Sequence, residues 1–115
     1  MVRVLFVCSK NCLRSPTAES VFGAWRGLQV ASAGIDSDAR VPLDVDLVEW
    51  ADVIFVMEPF HRDKLANKFE RFIRRKRVVV LDIPDQYEYM DASLIRLLRT
   101  KVSPYLRGVG ARPPP

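Results

Sequence analysis

Four short apolar runs, separated by stretches of helical pattern, most constrain what this chain can fold into. They span residues 4–7, 28–32, 53–57 and 78–81. The runs at 4–7, 53–57 and 78–81 are continuous rather than alternating, which is the mark of a strand buried on both faces, and 28–32 reads as a second short strand. Between and after them, apolar residues recur at helical spacing. Ala18, Val21, Phe22 and Trp25 make one face, and Val45, Leu47, Val48 and Trp50 make a second behind a capping Asp44. Leu65, Phe69 and Phe72 lie within a helix expected over 60–72, and Leu94, Leu97, Leu98 and Val102 follow Asp91 as N-cap. Strands alternating with helices predict a small doubly wound α/β domain. Its parallel four-stranded sheet carries helices on both faces, and its site lies at the carboxyl ends of the strands. At 115 residues and 49% hydrophobic content the chain is one domain with a real core. The domain is expected over 1–107. Pro104 should end or bend the last helix, and 108–115, closing on three prolines, reads as a disordered tail.

The loop from Cys8 to Ser15 joins the first strand to a helix that has Pro16 in its first turn. A strand, a loop and a helix N-terminus in that order form an anion site, because loop amides and the positive end of the helix dipole converge there. Cys8, at the strand's end, faces those amides in a setting that favours thiolate over thiol. Arg14 can curl back and present its planar fork to two oxygens of an oxyanion. Ser15 can donate its hydroxyl to the Cys8 sulfur, steadying the thiolate before attack and as a leaving group. A lone cysteine is usually a small buried hydrophobe. Arg14, Ser15 and the helix start weigh the balance towards a nucleophile. Ser9 and Lys10 are expected to contribute backbone amides only.

This run resembles the signature of the low-molecular-weight protein tyrosine phosphatases, in which a Cys, five residues, an Arg and a Ser or Thr follow the first strand. The likeness extends to Val-Leu-Phe-Val-Cys before the loop, to Asn11 within it and to Arg-Ser-Pro-Thr-Ala-Glu after it. The resemblance implies strand order 2-1-3-4, a phosphate-binding loop of Cys8, Ser9, Lys10, Asn11, Cys12, Leu13, Arg14 and Ser15, and a phosphocysteine intermediate. It implies that Asn11, in a left-handed conformation, pins the loop with support from Ser32. It also implies a general acid in the loop after the fourth strand. Aligning on Ile83-Pro84-Asp85 makes Asp85 that acid, with Tyr87 and Tyr89 as rim aromatics. Gln86 stands where the family has Pro, so Asp82 remains an open alternative. The 36–42 loop offers Asp36, Asp38 and Arg40 where family members often carry an aromatic, and the chain is shorter than typical members.

The implied activity is hydrolysis of a phosphomonoester, most directly phosphotyrosine on a protein, with inorganic phosphate as product. Phosphoserine or a small phosphomonoester is an alternative substrate. An arsenate reductase of this fold would need further cysteines downstream, and none follows Cys12. A sugar-transport phosphocarrier would not be expected to pair Arg14 with Ser15. A non-catalytic anion-binding module is a further alternative. No metal or other cofactor is expected, since no cluster of His and carboxylates stands at ligand spacing. No apolar stretch is long enough to cross a bilayer, and the N-terminus reads as a strand rather than a signal peptide, so a reduced cytoplasm is the expected location and no membrane partner is expected. Both cysteines lie in one loop and are not a disulfide framework. The net charge of +4 favours anionic substrates without marking a nucleic-acid protein. The cluster Arg71, Arg74, Arg75, Lys76 and Arg77 reads as a solvated helix end more readily than as a nucleic-acid surface. His61, the single histidine, is expected to be solvated or capping.

Overall fold

A computed structural model describes residues 1–115. Strands β1 (Val2–Cys8), β2 (Leu28–Gly34), β3 (Val53–Val56) and β4 (Arg77–Val80) alternate with helices α1 (Arg14–Phe22), α2 (Val45–Trp50), α3 (Pro59–Ile73) and α4 (Ala92–Gly108). All strand pairings are parallel and the sheet runs β2-β1-β3-β4, as expected. The carboxyl ends of all strands therefore lie at one rim.

Alternate side chains of each strand enter two separate cores. Val4, Phe6 and Cys8 of β1, with Val53, Phe55 and Met57, face α1 and α4. Leu5 and Val7, with Ile54 and Val56, face α2 and α3. This is why the runs of β1 and β3 are continuously apolar. Phe6 lies at the centre of the first core, its ring stacked at 5.7 Å on Phe22 and 5.3 Å on Phe55. Helix α4 buries Leu94, Leu98, Val102 and Leu106, one residue per turn along a single stripe. Asp44 caps α2 by accepting from the Leu47 amide at 2.8 Å, and Asp91 accepts from the Ser93 amide at 2.7 Å.

Three expectations are corrected at the ends of elements. Helix α1 stops at Phe22, so Trp25 packs into the core from the turn that follows rather than from the helix. Gly27, at φ 86°, makes the turn into β2. Pro104 does not end α4, since the helix continues through it to Gly108. The packed domain also runs beyond residue 107. Ala111 is buried in the first core, and Arg112 exchanges backbone hydrogen bonds with Arg26 at 2.8 and 3.1 Å. One apolar side chain and one backbone pairing thus hold a segment that proline content alone marked as a tail.

Candidate active site

The 8–15 loop is shaped from outside by the segment after β2. The amides of Ile35, Asp36 and Arg40 donate to the carbonyls of Cys8, Ser9 and Lys10 at 2.8, 3.1 and 3.0 Å. Gly34 permits this approach, because a Cβ there would stand 2.7 Å from the Ser9 carbonyl oxygen. With the carbonyls engaged outside, the loop amides turn inward. The N–H groups of Ser9, Lys10, Cys12 and Leu13 have no acceptor within the protein. Such a ring of free donors at a helix N-terminus suits an anion.

Cys8 lies beneath this ring, almost wholly buried. Its Sγ is 3.0 Å from Ser15 Oγ and accepts from the Asn11 amide at 3.3 Å. Asn11 has φ 57°, the left-handed conformation expected of it, and is itself buried. Its Nδ2 donates to both Ser15 Oγ and Ser32 Oγ at 2.9 Å, and Ser32 in turn donates to Glu19. The sequence-derived set Cys8, Asn11, Ser15 and Ser32 therefore forms one connected network, and Glu19 at its far end extends it.

Arg14 is 3% exposed, so its charge requires partners. Nη1 donates to the Ile83 carbonyl at 2.8 Å and lies 3.0 Å from Glu58 Oε1. Nε is 3.8 Å from Asp85 Oδ1. The loop after β4 is positioned by this contact, by the Ile83 amide on Met57 at 2.7 Å and by the Met90 amide on Thr17 Oγ1 at 2.9 Å. Cys8, Ser9, Lys10, Cys12, Leu13, Arg14 and Asp85 together line a cavity of about 150 Å³. Asp82 does not line it. It is exposed, at φ 57°, and its side chain makes no hydrogen bond.

The two tyrosines do not meet at this cavity. Tyr87 packs on the first hydrophobic core. Tyr89 is 53% exposed and lines an adjoining groove with Cys12, Pro16 and Arg40. Cys8 and Cys12 are both free thiols, the second exposed.

Three side chains differ from what the sequence suggested. Lys10 is not a bare backbone donor: its ammonium pairs with Asp36 at 3.3 Å and with Asp38 at 2.5 Å. The hydrogen bond from Lys10 holds Asp38 below its ordinary range and raises Lys10 in turn. Ser9 contributes its side chain, with Oγ 2.8 Å from His61 Nε2. His61 is fully buried rather than solvated, although it does cap, its Nδ1 accepting the Glu58 amide at 3.1 Å. Since Nδ1 accepts, the single proton of the neutral ring sits on Nε2 and is donated to Ser9. Burial, then the charges of Arg14 and Lys64, lower His61 from 6.5 to about 4. The contacts of Glu58 and His61 with the loop escaped sequence reading because these residues follow β3, far from the loop in the chain. Their only signal was position, at the carboxyl end of a strand beside β1.

The fold has counterparts among solved structures. The YwlE arginine phosphatase from Geobacillus stearothermophilus superposes with a TM-score of 0.78 at 21% identity, over 95% of this chain and 93% of that one. The tyrosine phosphatase Wzb from Escherichia coli K30, solved in complex with phosphate, gives 0.76 at 19% identity over 94% and 98%. A low-molecular-weight protein tyrosine phosphatase from Bacillus subtilis gives 0.71 at 24% identity over 93% and 98%. The chain shares the fold of the low-molecular-weight protein tyrosine phosphatases. No family model matches the sequence, and no curated protein does.

Proposed function

We propose that the protein is a cysteine-dependent phosphatase of the low-molecular-weight tyrosine phosphatase type. The observation that carries this reading is Cys8 Sγ, hydrogen-bonded to Ser15 and the Asn11 amide, beneath a ring of free amides flanked by Arg14 and Asp85. The thiolate attacks phosphorus in line, forming the S–P bond as the P–O bond to the leaving group breaks. The loop amides and Arg14 bind the three equatorial oxygens, where charge is concentrated in the transition state. Asp85 gives its proton to the departing oxygen. Water then attacks the phosphocysteine and gives a proton to Asp85. The S–P bond breaks, inorganic phosphate forms, and Ser15 donates to the returning thiolate. Arg14 and the amides supply the positive charge that the phosphoryl group requires. Such a thiolate operates in a reducing compartment, and we assign the protein to the cytoplasm.

Phosphotyrosine on a protein is the first substrate reading. Phosphorylated arginine is the second, and the character of the rim favours it. No aromatic side chain lines the cavity, while Asp85 lines it and Asp36 and Asp38 stand beside Lys10 at its edge. Carboxylates suit a cationic guanidinium better than a phenol ring. Two of the structural neighbours are named as arginine phosphatases.

The deciding experiment is steady-state turnover of phosphotyrosine, phosphoserine and phosphoarginine peptides by wild type and Cys8→Ser. Release of phosphate by wild type alone supports the proposal, and the preferred peptide names the substrate. No turnover of any of them, with phosphate still bound, leaves an anion-binding module instead.

A further inference from the structure

His61 is a buried titratable group that the mechanism above does not use. Three facts define its place. Its Nδ1 accepts the Glu58 amide, so its Nε2–H is available to one acceptor only. That acceptor is Ser9 Oγ at 2.8 Å, in the loop directly after Cys8. Ser9 lines the cavity, and its hydroxyl hydrogen has no acceptor within the protein.

A hydroxyl that accepts from one side must donate on another. With His61 occupying one lone pair, the Ser9 hydrogen can be turned towards the cavity that Ser9 lines. We propose that Ser9 is a side-chain donor to the bound phosphoryl group and that His61 is the positioning residue that aims it. This deepens the phosphatase reading and rests on it only for the identity of the oxyanion.

The surroundings keep the ring in the state this requires. A second proton would fall on Nδ1 and confront the Glu58 N–H. It would also place a cation among Arg14 and Lys64, with Asp36 and Asp85 as the opposing carboxylates. The neutral Nε2–H ring is therefore the working form.

Asparagine and glutamine separate the two duties of His61. In His61→Asn, Oδ1 takes the place of Nδ1 and still accepts the Glu58 amide, but nothing reaches Ser9. In His61→Gln, the amide nitrogen takes the place of Nε2 and still donates to Ser9. The probe is inorganic phosphate, with its dissociation constant measured calorimetrically for wild type, Ser9→Ala, His61→Asn, His61→Gln and the double variant Ser9→Ala/His61→Asn. Ser9→Ala and His61→Asn should each weaken phosphate binding roughly tenfold, the scale of one hydrogen bond to a charged group. The double variant should be no weaker than either single one, and His61→Gln should recover most of the loss.

Effects that multiply in the double variant, or wild-type affinity in Ser9→Ala, would overturn the proposal. So would a His61→Gln protein as weak as His61→Asn. Should His61→Asn not fold, Ser9→Ala decides alone, since it removes one hydroxyl from a cavity wall. Because the readout is equilibrium binding, the proposal stands or falls separately from turnover. A chain that shows this pattern yet hydrolyses no phosphoester would refute the phosphatase reading and leave Ser9 and His61 as argued.

Discussion

Glu58 Oε1 stands 3.0 Å from Arg14 Nη1, so the buried guanidinium is paired before any ligand arrives. The Ile83 carbonyl bonds the same nitrogen. The opposite edge of the fork, Nε with Nη2, carries only the long contact to Asp85 at 3.8 Å. That edge is the one free to take two oxygens of a phosphoryl group. Glu58 thus fixes which face of Arg14 serves the ligand.

Removing Glu58 leaves a buried cation with the Ile83 carbonyl and only the long contact to Asp85. Glu58→Ala should lower stability by about 2 kcal/mol, reduced from the fully buried case because Glu58 retains some exposure. Phosphate should restore part of this loss, since the ligand then supplies the missing negative charge. Urea unfolding of wild type and variant, each with and without phosphate, measures both effects. A phosphate-induced gain no larger in the variant than in wild type would contradict this account of Arg14.

Cys8→Ser should abolish turnover while leaving vanadate or phosphate binding largely intact, because the amide ring and Arg14 remain. Iodoacetate should label Cys8, and phosphate should protect it. Cys12 is the other free thiol, and its label must be read separately. Peptide mapping after alkylation separates the two. Residual turnover by Cys8→Ser would remove the nucleophile assignment.

The two carboxylates of the loop after β4 should behave unlike each other. Asp85 reaches the cavity wall and Arg14, so Asp85→Asn should slow hydrolysis of poor leaving groups by ~10²–10⁴-fold and activated aryl esters less. Asp82 stands at φ 57° with no side-chain hydrogen bond, so its substitution tests the backbone alone. Asp82→Gly should leave activity unchanged and stability unchanged or slightly raised, glycine being relaxed in that region. Leaving-group dependence carried by Asp82 instead of Asp85 would move the acid by three positions.

The fold was legible because the central strands β1 and β3 are buried on both faces, which writes each as an unbroken apolar run. The loop was legible because its chemistry is local: Cys8, Asn11, Arg14 and Ser15 act within one turn of chain. What the sequence hid is contact across the rim. Glu58 and His61 approach the loop only because β3 lies beside β1, and nothing in their own neighbourhood marks them. Tyr87 misled for a related reason, since an aromatic after an acid loop suits a pocket mouth and a core equally. The end of the chain misled through composition, where three prolines outweighed a single buried Ala111.

His61 also gives the protein a dependence on pH with a definite sign. Its folded value is lowered from 6.5 to about 4 by burial, then by Arg14 and Lys64. Between these values the unfolded chain binds a proton at His61 and the folded chain does not. Stability therefore rises with pH across that window, and the His61 contribution is complete above about 6.5. As pH falls the contribution is lost, reaching at most about 3 kcal/mol near the lower limit, at ~1.4 kcal/mol per pH unit. His61→Asn cannot titrate, so its stability should vary less over the same range. Denaturant unfolding of the two proteins at a series of pH values, taken as a difference, cancels the carboxylates common to both. The difference should narrow as pH falls, because wild type alone loses the His61 contribution. A difference independent of pH would mean that His61 takes up its proton as readily in the folded protein as in the unfolded chain.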